Sequence, residues 1–436
     1  MLLIDSIRDA TQRLVAQREL DALMRTCHHL LSARGEANSA GLASRAIEHY
    51  RRLPDAAHLS FFDALANAFN PDPAAVLAAA KRYAEAPGAE SLVELIAASE
   101  PPRQELLRRI NRAPGGTAVI VQMRHALLRA LDKRPQFAAV EADLLHLLSS
   151  WFNPGFLEMQ QVDWTSPARL LEKIIHHEAV HAIDGWDDLR RRLQPDRRCF
   201  AFFHPQLPGE PLIFVEVALV DSIPAAIGPL IEKNSPPGDS RRFKVAVFYS
   251  ISNCQPGLRG VSLGNFLIKR VAEHLQNEIP SIKTFCTLSP LPGFVRWLDA
   301  DPAAMRARLP TPLSERWQAA RDQLKLGSER IADRLERHWH PAKTTDDDRQ
   351  ALLALASIYL TEASPIGEGD SVAKFHLGNG ARLQRINWAA DLSRNGLKQS
   401  CGLMVNYLYD LSRVEEYHER FLDGKVVHSR AVARMA

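Results

Sequence analysis

The residues of this chain best suited to chemistry fall between Val245 and Phe294, and again around His376. The run VAVFYSISNCQPGLRGVSLGNFLIKRV reads as a strand, a loop bearing Gly257, Gly260 and Gly264, and an amphipathic helix. A glycine loop that opens a helix aims backbone N–H groups outward together, which suits a phosphate. Arg241, Arg242, Lys244, Lys269 and Arg270 lie close by in sequence and would attract a polyanion. The bland alternative is a plain strand-to-helix turn flanked by solvated charges. A second strand, Thr284–Leu288, delivers Ser289 just ahead of Pro290. On local context alone, a serine before proline is a helix cap. His376 lies between Phe375 and Leu377. Such a histidine is ordinarily a core or surface residue, but the Asn379-Gly380 turn that follows would present it at a cleft.

A different chemistry is offered by His177-Glu178-Ala179-Val180-His181. On a helix, H-E-x-x-H puts two zinc ligands on one face with a glutamate base between them. No third ligand follows at the spacing of the longer zinc motifs, so the expectation is that no metal binds and that Glu178 and His181 hydrogen-bond internally or line a cleft. Cys27, Cys199, Cys254, Cys286 and Cys401 form no CxxC pair and suit a reducing compartment as packing residues.

The elements that must position these groups divide in two. Residues 1–152 are rich in Ala, Leu, Arg and Glu at helical spacing and predict a helical bundle, with breaks at Asn70–Pro73, Ala86–Ala89, Glu100–Pro102 and Ala113–Gly116. Residues 153–436 mix strands and helices. A helix is expected from Ser166-Pro167 through Val180, with serine as its cap. Strands follow at Cys199–His204, Pro211–Val220, Val245–Ser252 and Thr284–Leu288. Helices are expected near Ile223–Leu230, at Leu263–Gln276, near Pro312–His338 and at Arg349–Glu362. The fold class is therefore α+β.

Composition narrows the function. A chain of 436 residues with 46% hydrophobic content is globular. A net charge of +3 is too small to argue for nucleic acid. No apolar run reaches membrane-spanning length, and MLLIDSIRDATQRL does not read as a secretory signal, so a cytoplasmic protein is expected.

Several longer segments resemble the malonyl-CoA decarboxylase family. They are Phe248–Ser252 with Gly257–Val271, Leu288–Phe294, Phe375–Ala381, Arg385–Asp391 and Ser400–Tyr409, in that order. Upstream, Asn153–Leu157, Glu178–His181 and Gly209–Leu212 also fit. The resemblance implies an acyltransferase-like (GNAT-type) catalytic domain that binds coenzyme A between splayed strands. It implies that Arg259, Gly260, Val261, Ser262, Leu263, Gly264 and Asn265 hold the cofactor portion of the substrate, with Ser262 a departure from the usual inner glycine. It further implies a catalytic pair, Ser289 as proton acceptor and His376 as proton donor, acting on malonyl-CoA to give acetyl-CoA and CO2 with no separate cofactor. A homo-oligomer, dimer or tetramer, assembled through the helical domain is expected. Taken without the resemblance, the residues leave open an N-acyltransferase, a zinc hydrolase on His177 and His181, and a CoA-responsive scaffold.

Overall fold

The computed structural model describes residues 2–32, 38–263, 267–300, 307, 309–326, 330–336, 340–365 and 369–435. The chain packs as two units. The first gathers Met1–Glu158 with two short downstream segments, Phe203–Pro211 and Gln255–Leu263. The second holds Met159–Phe202, Leu212–Cys254 and Gly264–Ala436. No helix among the described residues is long and apolar enough to cross a membrane.

The first unit is helical: α1 (Leu2–Leu31), α2 (Ser39–Arg52), α3 (Asp55–Ala68), α4 (Pro73–Glu85), α5 (Ala89–Ser99), α6 (Pro102–Asn111), α7 (Gly116–Ala130) and α8 (Ala138–Trp151). Its logic is amphipathic. In α2, Leu42, Ala43, Ala46, Ile47 and Tyr50 form one buried stripe at spacings of three and four. Asp72 accepts the Ala74 N–H and Pro73 opens α4, so the expected break at Asn70–Pro73 is a helix start. By contrast, α5 buries none of its residues.

The second unit carries an eight-stranded mixed sheet in the order β1-β2-β3-β4-β5-β8-β6, with β7 also on β8. The strands are β1 (Glu158–Val162), β2 (Arg197–Phe203), β3 (Ile213–Val220), β4 (Val245–Asn253), β5 (Thr284–Thr287), β6 (Ser289–Pro290), β7 (Arg382–Asn387) and β8 (Met404–Tyr409). β3 and β4 are buried almost throughout, as continuous apolar strands covered on both sides must be. Only β4 and β5 among the central pairs run parallel, joined by the crossover helix α12 (Leu267–Glu278, counting α9 as Ala168–His177, α10 as Gly185–Arg192 and α11 as Gly228–Ile231).

Several expected helices differ from those observed. The one expected at Arg349–Glu362 runs from Asp346 to Ile358 and passes into a wider turn at Tyr359–Ala363. Of the one expected at Leu263–Gln276, the described part is Leu267–Glu278, with Gly264, Asn265 and Phe266 outside the described residues. The helix opened by Ser166-Pro167 starts at Ala168, one residue late, because the Ser166 hydroxyl accepts from Asp163 instead of capping. It also stops at His177, well short of Val180. The helix expected near Ile223–Leu230 is reduced to α11, because the carbonyls of Ile223 and Pro224 are taken by the Arg385 guanidinium at 3.1 and 2.7 Å. In the segment near Pro312–His338 the described residues hold two helices, Thr311–Gln323 and Ile331–Glu336.

Candidate active site

The site grows out of a parting of strands. β4 and β5 pair from Val245/Thr284 to Phe248/Thr287, and Leu288 adds one further bond to the Phe248 carbonyl at 3.1 Å. There they separate. β4 continues along β3, with a bulge that places Tyr249 outside the register between Val217↔Phe248 and Glu216↔Ser250. The chain after β5 swings to β8, where Ser289 pairs with Val405 and Pro290 with Met404. A cleft of about 270 Å³ lies in the gap, with Phe248, Ser250, Ser289, Val372 and His376 in its wall. Ser289 is thus a strand residue at a cleft, not the helix cap its local sequence suggests.

His376 reaches the same cleft from the helix Ser371–Gly378. Its Nε2 lies 2.9 Å from Ser289 Oγ, and its Nδ1 lies 2.9 Å from Tyr409 Oη. The ring stacks on Tyr407 at 4.7 Å between centroids. His376 is 3% exposed as a residue, more enclosed than an Asn379-Gly380 turn suggests. Burial pushes its pKa down to about 3, so the ring is neutral.

Its tautomer follows from Tyr409. That phenol is buried, and burial holds its pKa well above the ordinary value, so it keeps its proton. Among the described residues, His376 Nδ1 is the partner the hydroxyl has. A buried O–H left without an acceptor costs about 1–3 kcal/mol. Tyr409 therefore donates to Nδ1, Nε2 carries the ring proton and donates to Ser289 Oγ, and the Ser289 O–H is free to turn into the cleft. Tyr409 is a site residue that the local sequence does not single out. The signal was present in the alternation of β8, which puts Val405, Tyr407 and Tyr409 on one face.

Two other carboxylates shape the surroundings. Glu178, at the end of α9, accepts the Val180 and His181 N–H groups at 2.8 Å each and the Ser250 hydroxyl at 2.7 Å. Those bonds replace the next helical turn, so His177 and His181 do not share a helix face and the zinc geometry is absent. Instead the turn sets Val180 in the cleft wall. His181 is buried beside the Tyr249 ring, with its pKa lowered to about 4 by burial. Asp370 caps the His376 helix through Val372 and Ala373. An aspartate ahead of Ser-Val-Ala is a legible helix-start signal that sequence reading passed over.

The glycine loop belongs to the first unit and has its own support. Arg124, 1% exposed, donates to the carbonyls of Gly257 at 2.7 Å and Arg259 at 2.6 Å and is paired with Glu141. A Cβ on Gly257 would lie 2.0 Å from the Val121 carbonyl, so this glycine serves a close backbone approach to α7. Gly260 has φ +83°, a conformation that favours glycine. Val261 and Leu263 are buried; Arg259, Gly260 and Ser262 are exposed. Gly264 and Asn265, like Phe266, lie outside the described residues. All five cysteines are buried, and burial raises the Cys286 thiol to about 12, as fits packing residues rather than reactive or surface thiols.

Comparison with known proteins bears on the whole chain. Residues 155–436 match the malonyl-CoA decarboxylase C-terminal domain, and residues 69–152 match the N-terminal domain of the same family. Mitochondrial malonyl-CoA decarboxylase of Mus musculus is 38% identical over 347 residues, covering 73% of this chain and 68% of the relative. That of Anser anser anser is 37% identical over 338 residues, covering 74% and 67%. Two crystal structures are similar throughout. Malonyl-CoA decarboxylase from Rhodopseudomonas palustris is 44% identical with a TM-score of 0.83, and that from Agrobacterium vitis is 44% identical with a TM-score of 0.80. Each alignment covers 95% of this chain and 99% of the other. With both parts of the sequence matched in order, and the Ser289–His376 contact formed inside the second part, this chain belongs to the malonyl-CoA decarboxylase family.

Proposed function

We propose that this protein converts malonyl-CoA to acetyl-CoA and CO2 at the Ser289–His376 pair, without a metal or a separate cofactor. The observation that carries the reading is the 2.9 Å contact between Ser289 Oγ and His376 Nε2 in the wall of the cleft. A cleft of about 270 Å³ suits the acyl end of the substrate, since ligand pockets that take drug-sized molecules run from roughly 300 Å³ upward.

The chemistry follows from the substrate. The bond between Cα and the carboxylate breaks, CO2 leaves, and the electron pair passes into the thioester as an enolate. The walls are mostly apolar: Val180, Ile213, Phe248, Val372 and Phe375 contribute, and no Arg or Lys stands among the described lining residues. A carboxylate held there loses hydration that it had in water, and departure as neutral CO2 relieves that cost. Charge then develops on the thioester oxygen, where hydrogen-bond donors lower the barrier. The bulge at Tyr249 withdraws backbone from the β3 ladder and makes it the candidate donor. The enolate is a strong enough base to take a proton from neutral groups. Ser289 gives its proton to Cα as His376 Nε2–H replaces it, and Tyr409 at Nδ1 steadies the charge left on the ring. Solvent restores the pair once product leaves.

The same reading assigns the rest of the chain. The gap between β4 and β5 is where an acyltransferase-like fold would seat the pantetheine arm. The helical residues 1–152 serve assembly with further copies of this chain. α5 supports this, because Val93 and Ile96 are 64% and 59% exposed on a helix that buries nothing. Val93→Asp with Ile96→Asp should lower the sedimentation-velocity mass, and an unchanged mass would remove α5 from the interface. The activity itself is tested by mass spectrometry of malonyl-CoA incubated with chelated wild-type protein. Stoichiometric acetyl-CoA is expected; free CoA and malonate would indicate a hydrolase instead.

A further inference from the structure

Ser289 and His376 lie 87 residues apart, on a short edge strand and on an eight-residue helix. Neither element is long enough to hold a catalytic distance by itself, so something must join them. One side chain touches both supporting segments. Asp370 is 1% exposed, and its two carboxylate oxygens divide their work. Oδ1 accepts the N–H groups of Val372 at 2.9 Å and Ala373 at 3.1 Å, which caps the helix bearing His376. Oδ2 accepts the Gly293 N–H at 3.0 Å, in the loop leading away from Ser289.

The link from Gly293 back to Ser289 is stiff. It runs through Pro290, the fully buried Leu291 and Pro292, so a shift at Gly293 is transmitted to the serine. Gly293 itself is walled in: a Cβ there would lie 2.4 Å from Tyr359 Oη and 3.4 Å from Asp370 Oδ2. Behind the clamp, a Cβ on Gly369 would lie 2.3 Å from Ser364 Cα. The carboxylate is therefore fixed from both sides before it meets either segment.

We infer that Asp370 is a positioning residue that sets the Ser289–His376 separation by holding the Gly293 loop and the His376 helix with opposite oxygens. This rests on the catalytic reading above, with one feature that separates it from ordinary capping. A cap needs one oxygen; the clamp needs two. Asp370→Ser keeps a capping hydroxyl but loses the reach to Gly293. Asp370→Asn keeps the capping oxygen and turns an NH2 toward the Gly293 N–H, so donor faces donor.

The test is the pair of variants in the full-length protein, with steady-state kinetics on malonyl-CoA and crystal structures of each. A misplacement of about 1 Å costs on the order of 100-fold in rate, so kcat should fall by that order in both variants while KM changes little. In the structures the Ser289 Oγ–His376 Nε2 separation should open beyond about 3.5 Å, past hydrogen-bonding range. A folded variant that keeps the separation, or a kcat within about twofold of wild type, overturns the clamp. If one variant does not fold, the other decides. Because the structural readout needs no turnover, it tests the clamp even where the wild-type activity fails, and that failure counts against the decarboxylase reading alone.

Discussion

The Ser289–His376 pair and the glycine loop make opposite lessons. From residue types alone, the loop looked the more specific: three glycines ahead of a helix. Its described part is governed by packing, with Gly257 pressed on the Val121 carbonyl and Arg124 gripping two of its carbonyls. The serine and histidine looked unremarkable locally, one as a cap and one as core. Tertiary structure turns them into a hydrogen-bonded chain of Tyr409, His376 and Ser289. A motif's residues reveal what a backbone permits; which groups react is decided by partners far away in sequence.

The largest loss is expected at the pair. Ser289→Ala should lower kcat by about 10²–10⁴, the usual contribution of a positioned proton-transfer group, with binding of CoA retained. Loss of CoA binding in parallel would make the serine a structural residue. At the loop the effect should appear in stability. Arg124→Met strands Glu141 and two carbonyls, and removing one partner of a buried ion pair costs about 3–5 kcal/mol. Chemical denaturation measures this; a loss below about 1 kcal/mol would show a surface-like pair.

Tyr409→Phe tests the tautomer of His376. It removes the donor at Nδ1, and a lost buried partner worth about 1–3 kcal/mol corresponds to a roughly 10- to 100-fold fall in kcat. The ¹⁵N shifts of His376 should change from a single Nε2–H tautomer to a mixture, and an unchanged spectrum would place the proton by other means. The pH dependence follows from the neutral ring. The folded pKa, about 3, lies below the ordinary histidine value of 6.5, so the unfolded chain binds a proton first. Stability should therefore fall as pH drops from about 6.5 toward 3, and an acid limb of kcat/KM near 6.5 that vanishes in His376→Gln would contradict the buried neutral ring. The smallest effect is expected at Glu178. Because its carboxylate ends the helix instead of flanking two ligands, removing metal with a chelator should leave turnover unchanged.

Much of the sheet was legible, because β2 to β5 are runs of apolar and β-branched residues bounded by turn signals. Boundaries failed where a side chain competed for backbone. Glu178 took the N–H groups that would have extended α9, and Arg385 took the carbonyls of Ile223 and Pro224. No local pattern announces such competitors; the two partners of Arg385 lie 162 and 161 residues away. Ser289 and His376 are marked by longer segment resemblance, whereas the sequence marks Tyr409 as a strand-face residue and Asp370 as a cap, and their contacts 33 and 77 residues away belong to the tertiary structure.

The central claim is that the proton reaching the product passes through Ser289 and His376. A single-turnover measurement in D2O, with malonyl-CoA and mass spectrometry of the acetyl-CoA formed, tests it in wild type and His376→Ala side by side. Wild type should give acetyl-CoA carrying one deuterium in its methyl group, and the variant should form it at least about 100-fold more slowly. An equal rate from His376→Ala would contradict the account.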